Sequence, residues 1–250
     1  MIKMKIGAST LGISGEKIED NLEFFENLNL EYVEILHQYP SEKLDMEILN
    51  SYNLKYTVHS PIIDINIASL SSSISNASIK AIKESINLAN DLNSEIVVVH
   101  PGTIPFLGKN YKKEIYLKSN ESLKEINSYS NDLGVISTVE NMPNIDVFIY
   151  KDLEKLNDFL ETNDMFMTLD VGHGFTNNYS ENQMYFDSIK HIHLSDNFGD
   201  DDSHMALGEG QINFKDIITE FNSKKFKGIY MIEVNDKNSI ENSLKYLKKL

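Results

Sequence analysis

His191-Ile192-His193-Leu194-Ser195-Asp196 sets two imidazoles two residues apart in a short apolar run, and Asp202-Ser203-His204 follows closely. Side chains alternate along a strand, so His191 and His193 share one face. Neutral imidazole nitrogen and carboxylate oxygen are the donors that zinc and its first-row neighbours accept. Asp-x-His is a spacing at which one loop can offer both donors to one ion. Taken singly, each group has an ordinary reading: a lone histidine at a strand end is usually a turn residue, and Asp200-Asp201-Asp202 alone is a solvated acidic loop. The segment carries chemistry only if other donors converge on it.

Convergence depends on the elements around it. Eight β-rich runs are expected at 4–8, 32–36, 55–59, 96–100, 135–140, 166–170, 189–194 and 229–234. Between them, Ile18/Leu22/Phe25, Ile79/Ile82/Ile86 and Leu153/Leu156/Phe159/Leu160 repeat at helical spacings. Strands alternating with amphipathic helices describe an α/β protein, a (β/α)8 TIM barrel occupying residues 1–250 as a single domain. Such a barrel does its chemistry at the C-terminal ends of its strands. There the sequence offers His59, His100, Glu140, Asp170 with His173 three residues on, His193 with Asp202 and His204 beyond, and Glu233. Only His37 and His191, of seven histidines, fall outside this set. Parity agrees, since Ile96, Val98 and His100 share a face, as do Phe166, Thr168 and Asp170, and Ile229, Met231 and Glu233. Nine donors at one barrel mouth predict a multinuclear metal site.

Composition narrows the partners. The chain has 250 residues, 41% of them hydrophobic, and no cysteine, so thiolate ligands and disulfides are excluded. Met1-Ile-Lys-Met-Lys-Ile-Gly7 is too short and too alternating for a signal peptide, and no apolar run reaches membrane-spanning length, which predicts a cytoplasmic protein with no membrane partner. All 23 cationic side chains are lysine, and the net charge is −15. Arginine is the usual bidentate phosphate reader, and a strongly acidic chain repels a polyanion. Extensive nucleic-acid contact is therefore disfavoured.

The motifs Val58-His-Ser-Pro61, Val99-His-Pro-Gly102, Glu140-Asn141, Leu169-Asp-Val-Gly-His173, His193-Leu-Ser-Asp196, Asp202-Ser-His204, Leu207-Gly-Glu-Gly210 and Ile232-Glu233 together resemble the endonuclease IV family (AP endonuclease family 2). More broadly they resemble the xylose isomerase-like TIM barrel superfamily, and in loop style they are closest to its sugar-phosphate isomerase or epimerase members. The resemblance runs from about residue 4 to 235. It implies up to three zinc ions, with manganese, iron or cobalt as ions the same donors accept. His59 and His100 would hold the first ion, with Glu140 bridging to a second completed by Asp170, His193 and Glu233. His173, Asp202 and His204 would hold the third.

On that footing the first expectation is a metal-dependent phosphoesterase, in which a metal-activated water attacks phosphorus and Glu140, Asp170 and Glu233 are the catalytic carboxylates. Abasic-site DNA cleavage is its special case. The departures oppose DNA: Ile62 and Ile63 stand where that family has an aromatic residue, and Asn197–Asp201 is acidic where basic residues belong. One alternative is a divalent-metal-dependent isomerase or epimerase of a sugar or sugar phosphate. It would use a single ion on Glu140, Asp170, His193 and Glu233, with no need of His59, His100, His173, Asp202 or His204. Another is a non-catalytic metal- or phosphate-binding barrel. The expected partner is a small phosphorylated or sugar-like molecule. His191 is expected as a residue behind the ligands or a packed polar core residue, and Asp196 as one orienting His204 or a metal water. Glu34 reads as an ordinary rim residue, Lys109, Lys112 and Lys113 as a solvated helix start, and Lys224–Lys227 as a turn on the opposite face.

Overall fold

Eight parallel strands pair in sequence order and close on themselves: β1 (Lys5–Ser9), β2 (Tyr32–Leu36), β3 (Lys55–His59), β4 (Ile96–Val99), β5 (Ile136–Glu140), β6 (Phe166–Asp170), β7 (Ile189–Leu194) and β8 (Ile229–Ile232). The computed structural model describes residues 4–13, 15 and 17–250. Met1–Lys3, part of the segment read as too short for a signal peptide, lie outside the described residues. Helices α1 (Ile18–Asn27), α2 (Met46–Ser51), α3 (Ser72–Asp91), α4 (Lys112–Asp132), α5 (Leu153–Thr162), α6 (Val171–Thr176), α7 (Phe214–Ser223) and α8 (Lys237–Leu247) alternate with the strands. This is the (β/α)8 barrel that the alternating pattern predicts. No described helix is long and apolar enough to cross a membrane.

Local chemistry sets the helix ends. Asp45, Asp152, Asp170, Asn213 and Asp236 each accept a hydrogen bond from a backbone N–H in the first turn of the helix they precede. Asn29, Asn93 and Asp164, just past α1, α3 and α5, take left-handed backbone (φ 56°, 52° and 52°), which polar Asn and Asp tolerate and which turns the chain back toward the sheet. The helix that the Ile18/Leu22/Phe25 spacing predicts accordingly stops at Asn27.

The apolar faces of the helices, including Leu22 and Phe25, Ile82 and Ile86, and Leu156 and Leu160, bury against the outward faces of the strands in one large core. A separate small cluster, Tyr32, Ile96, Val98, Ile229 and Met231, fills the inside of the barrel. Gly7 makes room there, because a Cβ on it would lie 2.7 Å from the Tyr32 carbonyl and 2.8 Å from Met231. On several strands the same inward parity is polar higher up: Thr57, Thr138, Thr168 and His191 are all buried, and the Thr138 and Thr168 hydroxyls are 2.6 Å apart. Above that layer lie the ionisable groups.

Candidate active site

Each strand from β3 to β8 ends within one residue of a candidate donor. β3, β5 and β6 finish at His59, Glu140 and Asp170, and β7 carries His193 as its penultimate residue. The fourth strand ends one residue, and the eighth two residues, earlier than the sequence suggests, so His100 and Glu233 lie just beyond them. Pro101, which has no N–H to continue a ladder, follows His100, and Glu233 keeps one bond outward from its N–H to the Leu194 carbonyl at 3.0 Å. Asp170 has two jobs. Its Oδ1 caps α6 by accepting from the His173 N–H at 2.6 Å, which fixes His173 in the first turn, and its Oδ2 is buried without a partner.

The structure brings all nine predicted donors to the barrel mouth in overlapping groups. Glu140, Asp170, His193 and Glu233 form one set, His59, His100 and Glu140 a second, and His173, Asp202 and His204 a third, each with ligand atoms within 4.8 Å of one another. His193 Nδ1 lies 3.2 Å from Glu140 and 3.1 Å from Glu233. Nε2 of His100 and of His59 lie 2.9 and 3.3 Å from one oxygen of Glu140. Nε2 of His173 and of His204 lie 3.1 and 3.2 Å from one oxygen of Asp202.

The opposite ring nitrogens test whether metal ions fit. Nδ1 of His59, His173 and His204 contacts the backbone carbonyls of Ser60, Asn141 and Glu233 at 2.8, 2.7 and 3.0 Å. A carbonyl only accepts, so each Nδ1 carries a hydrogen and each neutral ring presents the Nε2 lone pair to the cluster. His204 adopts this pose with φ 45°, a left-handed conformation uncommon for its type. With the orphaned Asp170 and Asp202 oxygens, these groups are a donor set suited to divalent ions.

Without such ions, the imidazoles serve as counter-charges. Burial pushes the His193 and His173 rings down, but the surrounding carboxylates, Glu233 foremost for His193 and Asp170 for His173, lift both well above the ordinary histidine range. His204 loses ground to burial yet is pushed up to about 10 by Asp202 and Glu233. Burial resists ionisation of Glu140 as well, and His193 and His100 hold it well below the usual carboxylate range. Asp170 goes the other way: burial, with Asp202 and Glu140 outweighing the help of His173, pushes it up to about 6.

Glu34 departs from its reading as an ordinary rim residue. It is fully buried inside the barrel, accepts from the Thr57 hydroxyl at 2.9 Å, and pairs with His191 Nε2 at 2.8 Å; its other oxygen faces His193 Nε2 at 2.9 Å. His191 therefore stands behind the ligands, hydrogen-bonded to Glu34 and not to any of the nine. The signal was in the sequence: Glu34 has the inward parity of Tyr32 in an otherwise apolar strand. With Glu34 included, five carboxylates share the site, against the four that the sequence suggests. Asp196 needs a different correction. It does not contact His204; its carboxylate accepts from the N–H groups of Asn197, Gly208, Gly210 and Ile212 at 2.9–3.1 Å and so pins the loop that carries Asp202 and His204. Lys109 pairs with Asp146 at 3.6 Å, and Lys112 and Lys113 are exposed. Lys224, Lys225 and Lys227 border a hollow with Lys5, at the start of β1 and so at the opposite end of the barrel.

The donors open onto a cavity of about 260 Å³ that Glu140, Glu233, His59, His100, His173 and His204 all line. Comparison with known proteins puts this geometry in context. A family model described as a xylose isomerase-like TIM barrel matches residues 22–250. An uncharacterized protein of Methanocaldococcus jannaschii is 35% identical over 243 residues, covering 94% of each chain. Among solved structures, a D-tagatose 3-epimerase-like protein is 31% identical, with a TM-score of 0.88 over 98% of this chain and 96% of that one. D-psicose 3-epimerase, solved in the presence of D-fructose, has a TM-score of 0.81 over 98% of each chain at 15% identity, a likeness of fold.

Proposed function

The chain belongs to the xylose isomerase-like TIM barrel family, and from that premise we propose that it is a divalent-metal-dependent epimerase or isomerase acting on a small sugar-like α-hydroxy ketone. The observation that carries this reading is the buried set Glu140, Asp170, His193 and Glu233, of which Glu140 and Glu233 line the open cavity at the barrel mouth. The sequence put phosphoester hydrolysis first; the epimerases among the similar structures support the alternative instead.

These four residues would hold the ion, which when bound draws electron density from adjacent carbonyl and hydroxyl oxygens and so acidifies the carbon between them. The chain supplies the proton transfers. Glu140 and Glu233 project from β5 and β8, three strands apart around the closed barrel, so they approach a molecule between them from different sides. One carboxylate removes the carbon-bound proton, and the electron pair it leaves delocalises onto the neighbouring carbonyl oxygen. The other, which must enter the reaction as the protonated acid, gives its proton to the opposite face of that carbon and inverts it; the two carboxyls end with exchanged protonation states and the substrate neither gains nor loses atoms. Glu34, whose carboxylate lies 2.9 Å from Nε2 of His193, sits behind that ring and favours Nδ1 turned to the cluster.

A second reading retains support from one observation. His173 and His204 gather on Asp202 beside the first set, and a one-ion epimerisation does not require them. Three ions there would suit phosphoester hydrolysis. One experiment separates the two: metal-loaded protein in D2O with simple ketohexoses, followed by NMR for deuterium at the carbon next to the carbonyl and for the epimer. The same preparation is offered small phosphoesters and an abasic-site duplex. Deuterium incorporation lost in Glu140→Gln and Glu233→Gln supports epimerisation. Phosphoester cleavage without any carbon-bound exchange refutes it.

A further inference from the structure

The wall facing the metal-binding floor says what kind of molecule fits, granted the reaction proposed above. Apart from the donors and Asp201, the described residues that line the cavity are Leu11, Ile62, Met142, Pro143, Ile145 and Phe148. No lysine is among them, and the chain contains no arginine. A narrow apolar extension continues from the same wall and again uses Ile62, Met142 and Phe148, now with Ile65 and Ile67.

Polar side chains do surround this wall, but they are spent on the protein. The Gln38 oxygen accepts from the N–H groups of Ile62 and Ile63. Asn66 bridges Ala68 and Thr103. Asn141 is tied to the backbone of Asp170 through both ends of its amide. Asn177 donates to the carbonyls of Met142 and His173. A row of hydroxyl groups lying against Ile62, Met142 and Phe148 would lose its water and find few partners, which costs binding. A phosphate on that wall would find no lysine or arginine among the lining residues, and Asp201 and Asp202 flank the cavity with carboxylates.

We propose that the substrate is an uncharged α-hydroxy ketone with an apolar far end, a terminally deoxygenated ketose or an alkyl- or aryl-bearing ketol, and that sugar phosphates are rejected. The polar end lies on the Glu140, Asp170, His193 and Glu233 floor, and the apolar end lies on Ile62, Met142, Ile145 and Phe148.

The test uses the full chain loaded with Mn²⁺ and three matched probes: a ketohexose, its 6-deoxy counterpart and its 6-phosphate. Binding is measured by calorimetry and reaction by deuterium incorporation. The 6-deoxy compound is expected to bind about tenfold more tightly than the ketohexose, and the phosphate more weakly than both. Ile145→Lys, at a position 43% exposed and so tolerant of change, is expected to reverse the order of the deoxy and phosphate compounds. Tighter binding of the phosphate by the unaltered protein, equal binding of all three, or binding of none overturns the inference. Preferential binding of the deoxy compound without exchange supports the pocket assignment while refuting the reaction it was built on.

Discussion

Glu34 offers the most direct test of how the barrel interior supports the site. Its carboxylate is fully buried and faces Thr57, His191 and His193 at 2.8–2.9 Å. In Glu34→Ala the Thr57 hydroxyl and His191 Nε2 lose their acceptor, and His193 loses the carboxylate beside its Nε2. Leaving one such group unpaired costs about 1–3 kcal/mol, and removing one member of a buried ionic pair about 3–5 kcal/mol. The expected loss of stability is therefore on the order of 4 kcal/mol, enough to threaten folding. Glu34→Gln is the informative change: it keeps the volume and one acceptor, but its amide N–H₂ must face one of the two imidazoles. If that ring is His193, Nδ1 no longer presents a fixed lone pair, and metal affinity should fall about 10–100-fold. Chelator competition on the folded variant measures the affinity, and urea unfolding of the metal-free protein measures the stability. An E34Q protein that binds metal as tightly as the parent would refute the argument that Glu34 orients His193.

Other perturbations test other parts of the site. A histidine whose folded pKa is raised contributes stability that is complete below its unfolded pKa and is lost as pH rises through the folded value. His204 at about 10, with His173 and His193 also raised, therefore predicts that the metal-free protein loses stability steadily from about pH 6.5 toward 10; Asp170, pushed up to about 6, adds a loss in the same direction from about pH 4 to 6. Metal-loaded protein should show the opposite slope near neutrality, because binding displaces those protons, and thermal melts with and without chelator will reveal any failure of this divergence. His204→Ala or Asp202→Asn should lower the number of ions bound per chain by elemental analysis but leave deuterium exchange within about threefold of the parent; loss of exchange would mean that the third group takes part in the reaction. Asp196→Ala frees four backbone N–H groups and should cost about 3 kcal/mol or more in chemical denaturation, with the ions near Asp202 and His204 lost first on dilution.

Strand parity made most of this architecture legible in the sequence. Inward residues two apart, such as Phe166, Thr168 and Asp170, run from apolar floor to ionisable mouth, and this gradient located the donors before any contact was known. What stayed hidden depended on partners far away in the chain. Glu34 is 157 residues from His191, so only closure of the barrel turns an isolated acid in an apolar strand into the support of two imidazoles. The work of Asp196 depends on the backbone N–H directions of Gly208, Gly210 and Ile212, which residue types do not encode. The counting of donors also favoured hydrolysis too readily, because it weighed how many metals could bind and not what the facing wall offers a substrate. That wall is made of Ile62 from the loop after β3 and of Met142 and Phe148 from the loop after β5, and nothing in their spacing announces that they meet.

The strand origin of the central set has a consequence for biogenesis. Glu140, Asp170, His193 and Glu233 come from the ends of the last four strands of the barrel, β5 to β8. A ribosome-bound nascent chain missing its last strand holds three of these donors at most, and a barrel not yet sealed between β8 and β1 holds the fourth loosely. On the proposed function, tight uptake of an ion would require the barrel to be sealed between β8 and β1, so metal content would report on how much of a population has closed.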